Sequence, residues 1–229
     1  MVILILIAFI AISISVDALI QFNKKRYSKA AAFSEVSSHN INVSSVSIPL
    51  GIYFDKSHTW VFMEKNGDVK IGLGDFLRHI IGPMNIIKIK QAGEKIQKGE
   101  PVFTIIQNGK QLSFNAPISG TVVLQNHQIF NDSTDENSSQ FQDVWVYTVR
   151  PSNWLKESQF LLAAANYKEW LKNEFMRLKD FLMHIQQKNN ADVMPVLIQD
   201  GGELQDHVLE NFGSEVWEEF QIKFINVVK

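Results

Sequence analysis

The sequence predicts an α+β chain that is mainly β, with a single apolar helix at its start, a small β domain in its middle and a helical extension at its end. Three observations carry this. Residues 2–20 are apolar except for Ser13, Ser15 and Asp17. From residue 51 to 150, short β-rich runs alternate with turn residues at the intervals of a small all-β domain. Beyond Pro151 the apolar residues recur at helical spacing.

At 1.5 Å per residue a helix over residues 2–20 reaches roughly 28 Å, close to the ~30 Å of a bilayer's hydrocarbon core. A cleaved secretory signal needs its positive charges before the apolar run, and here Lys24, Lys25, Arg26 and Lys29 follow it. Basic residues stay on the cytoplasmic side, so the expected product is a single-pass protein of the cell inner membrane with everything after the span in the cytoplasm. Asp17 lies near the basic end, where it fits the interface. Residues 1–22 are therefore expected to be a transmembrane anchor. Residues 23–50 are a basic flank and linker, rich in Ser, Ala and Asn without sustained periodicity.

Strands are expected at 61–63, 69–71, 86–89, 101–106, 111–114, 120–124 and 144–149, within a β domain spanning 51–153. Residues 75–81 read as a short helix ended by Gly82-Pro83, because proline cannot continue the helical ladder. The polar stretch 131–142 reads as a solvated loop. In the extension, 154–229, one long helix or two consecutive ones are expected from Leu155 to Ile185, with a break at Asn189-Asn190. A strand at 193–198, a turn at 200–202 and a mainly helical 203–226, interrupted near Gly213, complete the chain. Trp217, Phe220 and Phe224 stand at i, i+3 and i+7, so they share one apolar face.

Composition narrows the chemistry. With 22 Lys+Arg against 24 Asp+Glu there is no basic field to hold a phosphate backbone, which argues against nucleic acid as a partner. The absence of cysteine excludes disulfides, thiolate metal sites and thiol nucleophiles. The six histidines show no zinc-binding spacing, and Gly72-x-Gly74 lacks the third glycine of a dinucleotide loop. No serine lies in a nucleophile elbow. No catalytic residue and no metal ligand are expected, and the chain reads as a non-enzyme.

The β region carries a familiar run of motifs. The stretch from Tyr53 through His58 and Trp60 to Val61, then Gly67 to Phe76, Gly93 to Glu100, Ala116-Pro117-Ile118-Ser119-Gly120, and Val144 to Asn153, resembles in order the glycine cleavage system H protein family. The resemblance runs from about Gly51 to Trp170. It implies a flattened barrel-sandwich hybrid of the lipoyl-domain type, and a lipoyl-lysine at a hairpin tip that carries an aminomethyl group between enzymes. Family spacing counted forward from Gly99 or back from Ala116 arrives at Gly109, so the lysine position holds glycine. The family's adjoining glutamate becomes Ile106. Asn108-Gly109 is the favoured pair for a two-residue type I′ hairpin. Lys110, one residue past the tip, is the only nearby candidate for lipoylation, and the offset turns its side chain differently.

The expectation is therefore a membrane-tethered, non-lipoylated H-protein-like scaffold or adaptor, of bacterial type, in a protein complex on the cytoplasmic face, without a cofactor. His58, Trp60, Trp217, Phe220 and Phe224 are its expected partner-facing residues. The alternative is a membrane-localised lipoyl carrier using Lys110 in one-carbon or sulfur-type transfer. A third reading has the Gly109 hairpin and the Trp217, Phe220, Phe224 face bind a small ligand.

Overall fold

The computed structural model describes residues 40–126, 145–188 and 204–226. The expected anchor over residues 2–20, with Asp17 and the basic flank, lies outside the described residues, as do the 131–142 stretch and the segments expected at 193–198 and 200–202. Among the described residues no helix is long and apolar enough to cross a membrane.

Three antiparallel sheets organise what is described. The largest has seven strands, β2 (Tyr53–Phe54), β3 (Thr59–Met63), β4 (Val69–Leu73), β6 (Lys95–Ile96), β9 (Gly120–Gln125), β10 (Trp145–Pro151) and β11 (Leu162–Ala163), in the order β11-β2-β3-β4-β10-β9-β6. The second holds β5 (Asn85–Lys88), β7 (Pro101–Gln107) and β8 (Lys110–Asn115) in the order β5-β7-β8. The third is the pair β1 (Asn40–Ile41) and β12 (Leu204–Gln205). Period-two patterning is visible where one face is covered: on β7, Phe103 and Ile105 are fully buried while Thr104 and Ile106 are half-buried. One hydroxyl ties the two larger sheets together: Tyr147 on β10 donates to the Val102 carbonyl at 2.8 Å and accepts the Lys90 N–H at 3.1 Å.

The Ala116-Pro117-Ile118-Ser119-Gly120 motif has a structural reason at nearly every position. The Ala116 N–H and C=O meet the Glu100 carbonyl and the Gly99 N–H, each at 2.8 Å, and Ile118 is fully buried. Ser119 accepts the Lys98 N–H through its hydroxyl and is itself gripped by Glu157, which accepts from both the Ser119 N–H and Oγ at 2.6 Å. A Cβ on Gly120 would lie 2.3 Å from the Arg150 carbonyl oxygen, so only glycine allows β9 this close to β10.

The helices are α1 (Asp75–Ile81), α2 (Trp154–Glu157), α3 (Ala164–Lys188) and α4 (Ser214–Phe220). Alpha1 has the expected bounds and buries Phe76, Leu77, Ile80 and Ile81. The helical segment after Pro151 is not continuous: α2 and a 3-10 turn lead into β11, which pairs with β2, before α3 begins. A π-helical turn, Gln221–Ile225, follows α4 directly, closed by the Asn226 N–H on the Gln221 carbonyl. The expected linker is corrected at its end. Asn40–Ile41 is a strand paired with Leu204–Gln205, and Ile41 and Val46 are buried, because the apolar side chains there find a cover in the extension.

Helix α1 is also held to the extension by charge. His79 lies between two carboxylates, with Nδ1 3.2 Å from Asp206 Oδ1 and Nε2 3.6 Å from Asp75 Oδ2, and its carbonyl accepts the His207 N–H. Hydrogen bonds to Asp206 and Asp75 outweigh burial and push the His79 imidazole up to about 9 from its ordinary 6.5. A group whose pKa is higher folded than unfolded stabilises fully below its unfolded value and loses that contribution as pH rises through the folded one. Resistance to urea is therefore expected to fall between about 6.5 and 9. His79→Gln should flatten that part of the profile, and an equally steep fall in the variant would assign it to another group.

Candidate functional site

The tip of the β7–β8 hairpin is the position to which the sequence pattern directs attention. Gln107 pairs with Lys110, leaving Asn108 and Gly109 as a two-residue turn with φ of 50° and 78°. Both angles lie in the left-handed region, as a type I′ turn requires. The two apical residues are exposed, and a Cβ at Gly109 would meet nothing within 4 Å, so the apex is open in space but carries no amine.

Both residues flanking the apex are tied down. Gln107 is buried and its Nε2 donates to the Ile81 carbonyl at 2.8 Å and the Pro83 carbonyl at 2.7 Å, fastening β7 to the end of α1. Lys110 opens β8, and its Nζ donates to the carbonyls of Glu210 at 2.7 Å and Phe212 at 3.0 Å. The same ammonium stands 4.9 Å from the centre of the Trp217 ring. Burial lowers the Lys110 pKa from the ordinary lysine value, with the Glu210 charge acting the other way. The amine therefore points into the chain's own extension.

The free edge of β8 is covered as well. Gln221 uses its side-chain amide as a short extra strand: Oε1 accepts the Ser113 N–H at 2.7 Å and Nε2 donates to the Ser113 carbonyl at 2.9 Å. An open edge invites pairing with another chain, and here one glutamine satisfies part of it in cis.

The expected partner-facing residues require correction, since all five side chains are buried within the chain. Trp60 donates its indole N–H to the Leu73 carbonyl at 2.9 Å. Trp217 donates to the Leu209 carbonyl at 2.9 Å, which builds the turn that holds Lys110. Phe220 stacks on Phe224 with centroids 4.6 Å apart, and both meet Phe181 of α3. The apolar stripe has found its cover on α3 and β8 of the same chain. His58 adopts a positive φ of 63° and stacks on Phe76. Burial lowers its imidazole to about 3, assisted by the Arg177 charge and opposed by Asp55. It is a neutral core residue, 3.9 Å from Glu174 across the α3 interface.

The sequence reading missed the carbonyls of Glu210 and Phe212, the Gln107 anchor and the Gln221 edge cap. Backbone carbonyls leave no signal in residue identity, and a buried glutamine at a strand end looks like any polar residue next to a turn.

The model of the family described as "Glycine cleavage H-protein" matches residues 52–174, more than half of the 229-residue chain. The chain belongs to the glycine cleavage H-protein family. The glycine cleavage system H protein of Oceanobacillus iheyensis is 30% identical over 129 residues, covering 56% of this chain and 100% of that protein. A probable glycine cleavage system H protein of Pyrococcus abyssi is 28% identical over 134 residues, covering 58% of this chain and 98% of that protein. The crystal structure of a glycine cleavage system H protein from Mycobacterium marinum covers 54% of this chain and 98% of that chain at 21% identity, with a TM-score of 0.46. The hairpin lies inside the H-protein match, whereas the segment that covers it, residues 204–226, lies beyond residue 174.

Since the aromatic stripe of this H-protein family member is core, Phe220→Ala is expected to cost about 3–5 kcal/mol of folding stability. Thermal denaturation reads this directly. A melting temperature equal to wild type would return Phe220 to the surface.

Proposed function

We propose that this chain is a non-lipoylated member of the H-protein family, a scaffold or adaptor held at the cytoplasmic face of a membrane by residues 2–20, and not itself an enzyme. The observation that carries the reading is the hairpin apex. The resemblance lays the family's modified lysine on Gly109, in a turn whose two residues both have positive φ. The nearest amine, Lys110, is engaged by two carbonyls and an indole face. A lipoyl arm needs an amine that leaves the protein freely, so the residues present do not fit that group.

Energetics supports a lasting arrangement over a removable one. Leu204, Val208, Leu209, Trp217, Phe220 and Phe224 are all buried. At about 1.5–3 kcal/mol each, their burial is on the order of 10 kcal/mol, comparable to the whole stability of a typical domain. Lifting the extension to free Lys110 would amount to unfolding much of the protein. This weighs against the alternative of a carrier acting through Lys110.

The membrane placement rests on the nineteen-residue apolar run and the basic residues that follow it. The scaffold role rests on a lipoyl-type domain retained with its apex rebuilt and its hairpin edge capped. Its partners are expected to be proteins of a membrane-associated complex.

Intact-mass measurement of protein purified from its own host tests the central claim. An unmodified mass is expected, and Lys110→Arg should shift it only by the substitution itself. A stoichiometric lipoyl adduct on wild type that disappears in Lys110→Arg would overturn the reading in favour of a carrier.

A further inference from the structure

We propose that the surface formed by residues 153–160 with Leu50, Tyr53 and Lys56 lies against an anionic lipid headgroup layer. The inference rests on the membrane-side placement proposed above and names which face of the β domain the bilayer meets.

The surface is assembled by the β2–β11 pairing. Tyr53 stands opposite Ala163, and Phe54 opposite Leu162. Lys56 follows β2 by two residues, and the Lys98 ammonium stands 5.1 Å from the centre of the Phe160 ring. Tyr53 also meets Trp154 edge to face, with centroids 6.0 Å apart, which places α2 beside the same strand. Three large apolar side chains in this region are left in solvent to an unusual degree: Leu50 is 92% exposed, Leu155 88% and Phe160 58%. Single exposed leucines are ordinary, but exposed Leu155 and Phe160 beside the Tyr53–Trp154 pair are not.

The charge around the patch decides between a lipid and a protein partner. Lys56 and Lys156 are exposed, Lys156 directly following Leu155. The neighbouring carboxylates are turned inward: Glu157 accepts both hydrogen bonds from Ser119, and Asp55 is buried and accepts from Ser57. Apolar tips, a Tyr–Trp pair and outward lysines whose adjacent acids, Asp55 and Glu157, are held by the protein match the interfacial chemistry of a bilayer, where aromatic rings sit at headgroup depth and ammonium groups reach the phosphates. The exposed methionines of α3 lack this combination. Met176 and Met183 on α3 share their helix surface with Lys172, Glu169 and Asp180.

Because the sequence has no cysteine, a single introduced one carries a probe uniquely. The full chain with Leu155→Cys, labelled with an environment-sensitive fluorophore, is placed with phosphatidylcholine–phosphatidylglycerol vesicles that contain brominated acyl chains. The expected result is a blue shift with quenching at position 155 and neither at Met183→Cys. Lys56→Glu with Lys156→Glu should lower the quenched fraction several-fold. An aqueous spectrum at position 155 overturns the inference. A blue shift without bromine quenching overturns it equally, because it reports burial against protein.

Alkaline extraction of native membranes separates this inference from the reading beneath it. A chain that resists extraction while its 155 label stays aqueous refutes the lipid-facing surface and leaves the tether standing. A chain that washes out, yet is quenched on added vesicles, refutes the tether alone.

Discussion

The grip on the two residues that flank the Asn108-Gly109 apex is the constraint on which the rest of this site depends. Gln107 is fastened to the end of α1 and Lys110 to the carbonyls of Glu210 and Phe212. Neither tie is strong alone, since a net hydrogen bond contributes about 1 kcal/mol and one to a charged group about 1.5–3. Their effect is geometric. With both sides of the turn fixed, only two residues project, and neither carries a long side chain. The flanks of the hairpin are held between α1 and the extension while its two apical residues stay exposed.

That hold exists because the extension has somewhere apolar to go. Trp217 serves two purposes at once: its indole N–H holds the Leu209 carbonyl, shaping the turn whose later carbonyls receive Lys110, and its ring face lies below the same ammonium. Phe220 and Phe224 then stack and reach Phe181 on α3, while Gln221 between them satisfies Ser113 on β8. On a helical turn the residue four places on returns to the same face while the next residue is turned about 100° from it, which lets the rings meet α3 and the amide meet β8. Packing and edge capping therefore come from one local conformation.

Much of this was legible in the sequence, and what was not has a common cause. The strands of the β domain and α1 follow from short-range patterning, and the type I′ apex follows from Asn-Gly alone. The periodicity of Trp217, Phe220 and Phe224 identified a face that must be covered, but periodicity carries no information about which surface covers it, so an exposed interface and a folded-back core looked alike. The same holds for β1, two residues whose strand character depends wholly on Leu204 and Gln205 at the far end of the chain. An imidazole suits a contact surface as well as a core, and the burial of His58 is decided by Phe76 and Trp170 closing over it. Lys110 could be placed beside the tip by counting. Its immobilisation depends on carbonyls a hundred residues away, which no side-chain pattern encodes.

One chain of contacts explains why the family domain and the added segment behave as a single structure. Glu174, the last residue of the H-protein match, is buried, and burial raises its pKa while Arg177 opposes that rise. Arg177 hydrogen-bonds the Glu174 carboxylate with one guanidinium nitrogen, donates to the Lys223 carbonyl at 2.8 Å with another, and lies over the Phe224 ring at 5.0 Å. A buried carboxylate is tolerated only if its partner is held in place, and an arginine at a helix surface is otherwise free to swing into water. The extension supplies that restraint. The cation that makes Glu174 tenable inside the domain is positioned by a carbonyl and a ring from outside it, so the extension contributes to the core it covers as well as to the hairpin it closes.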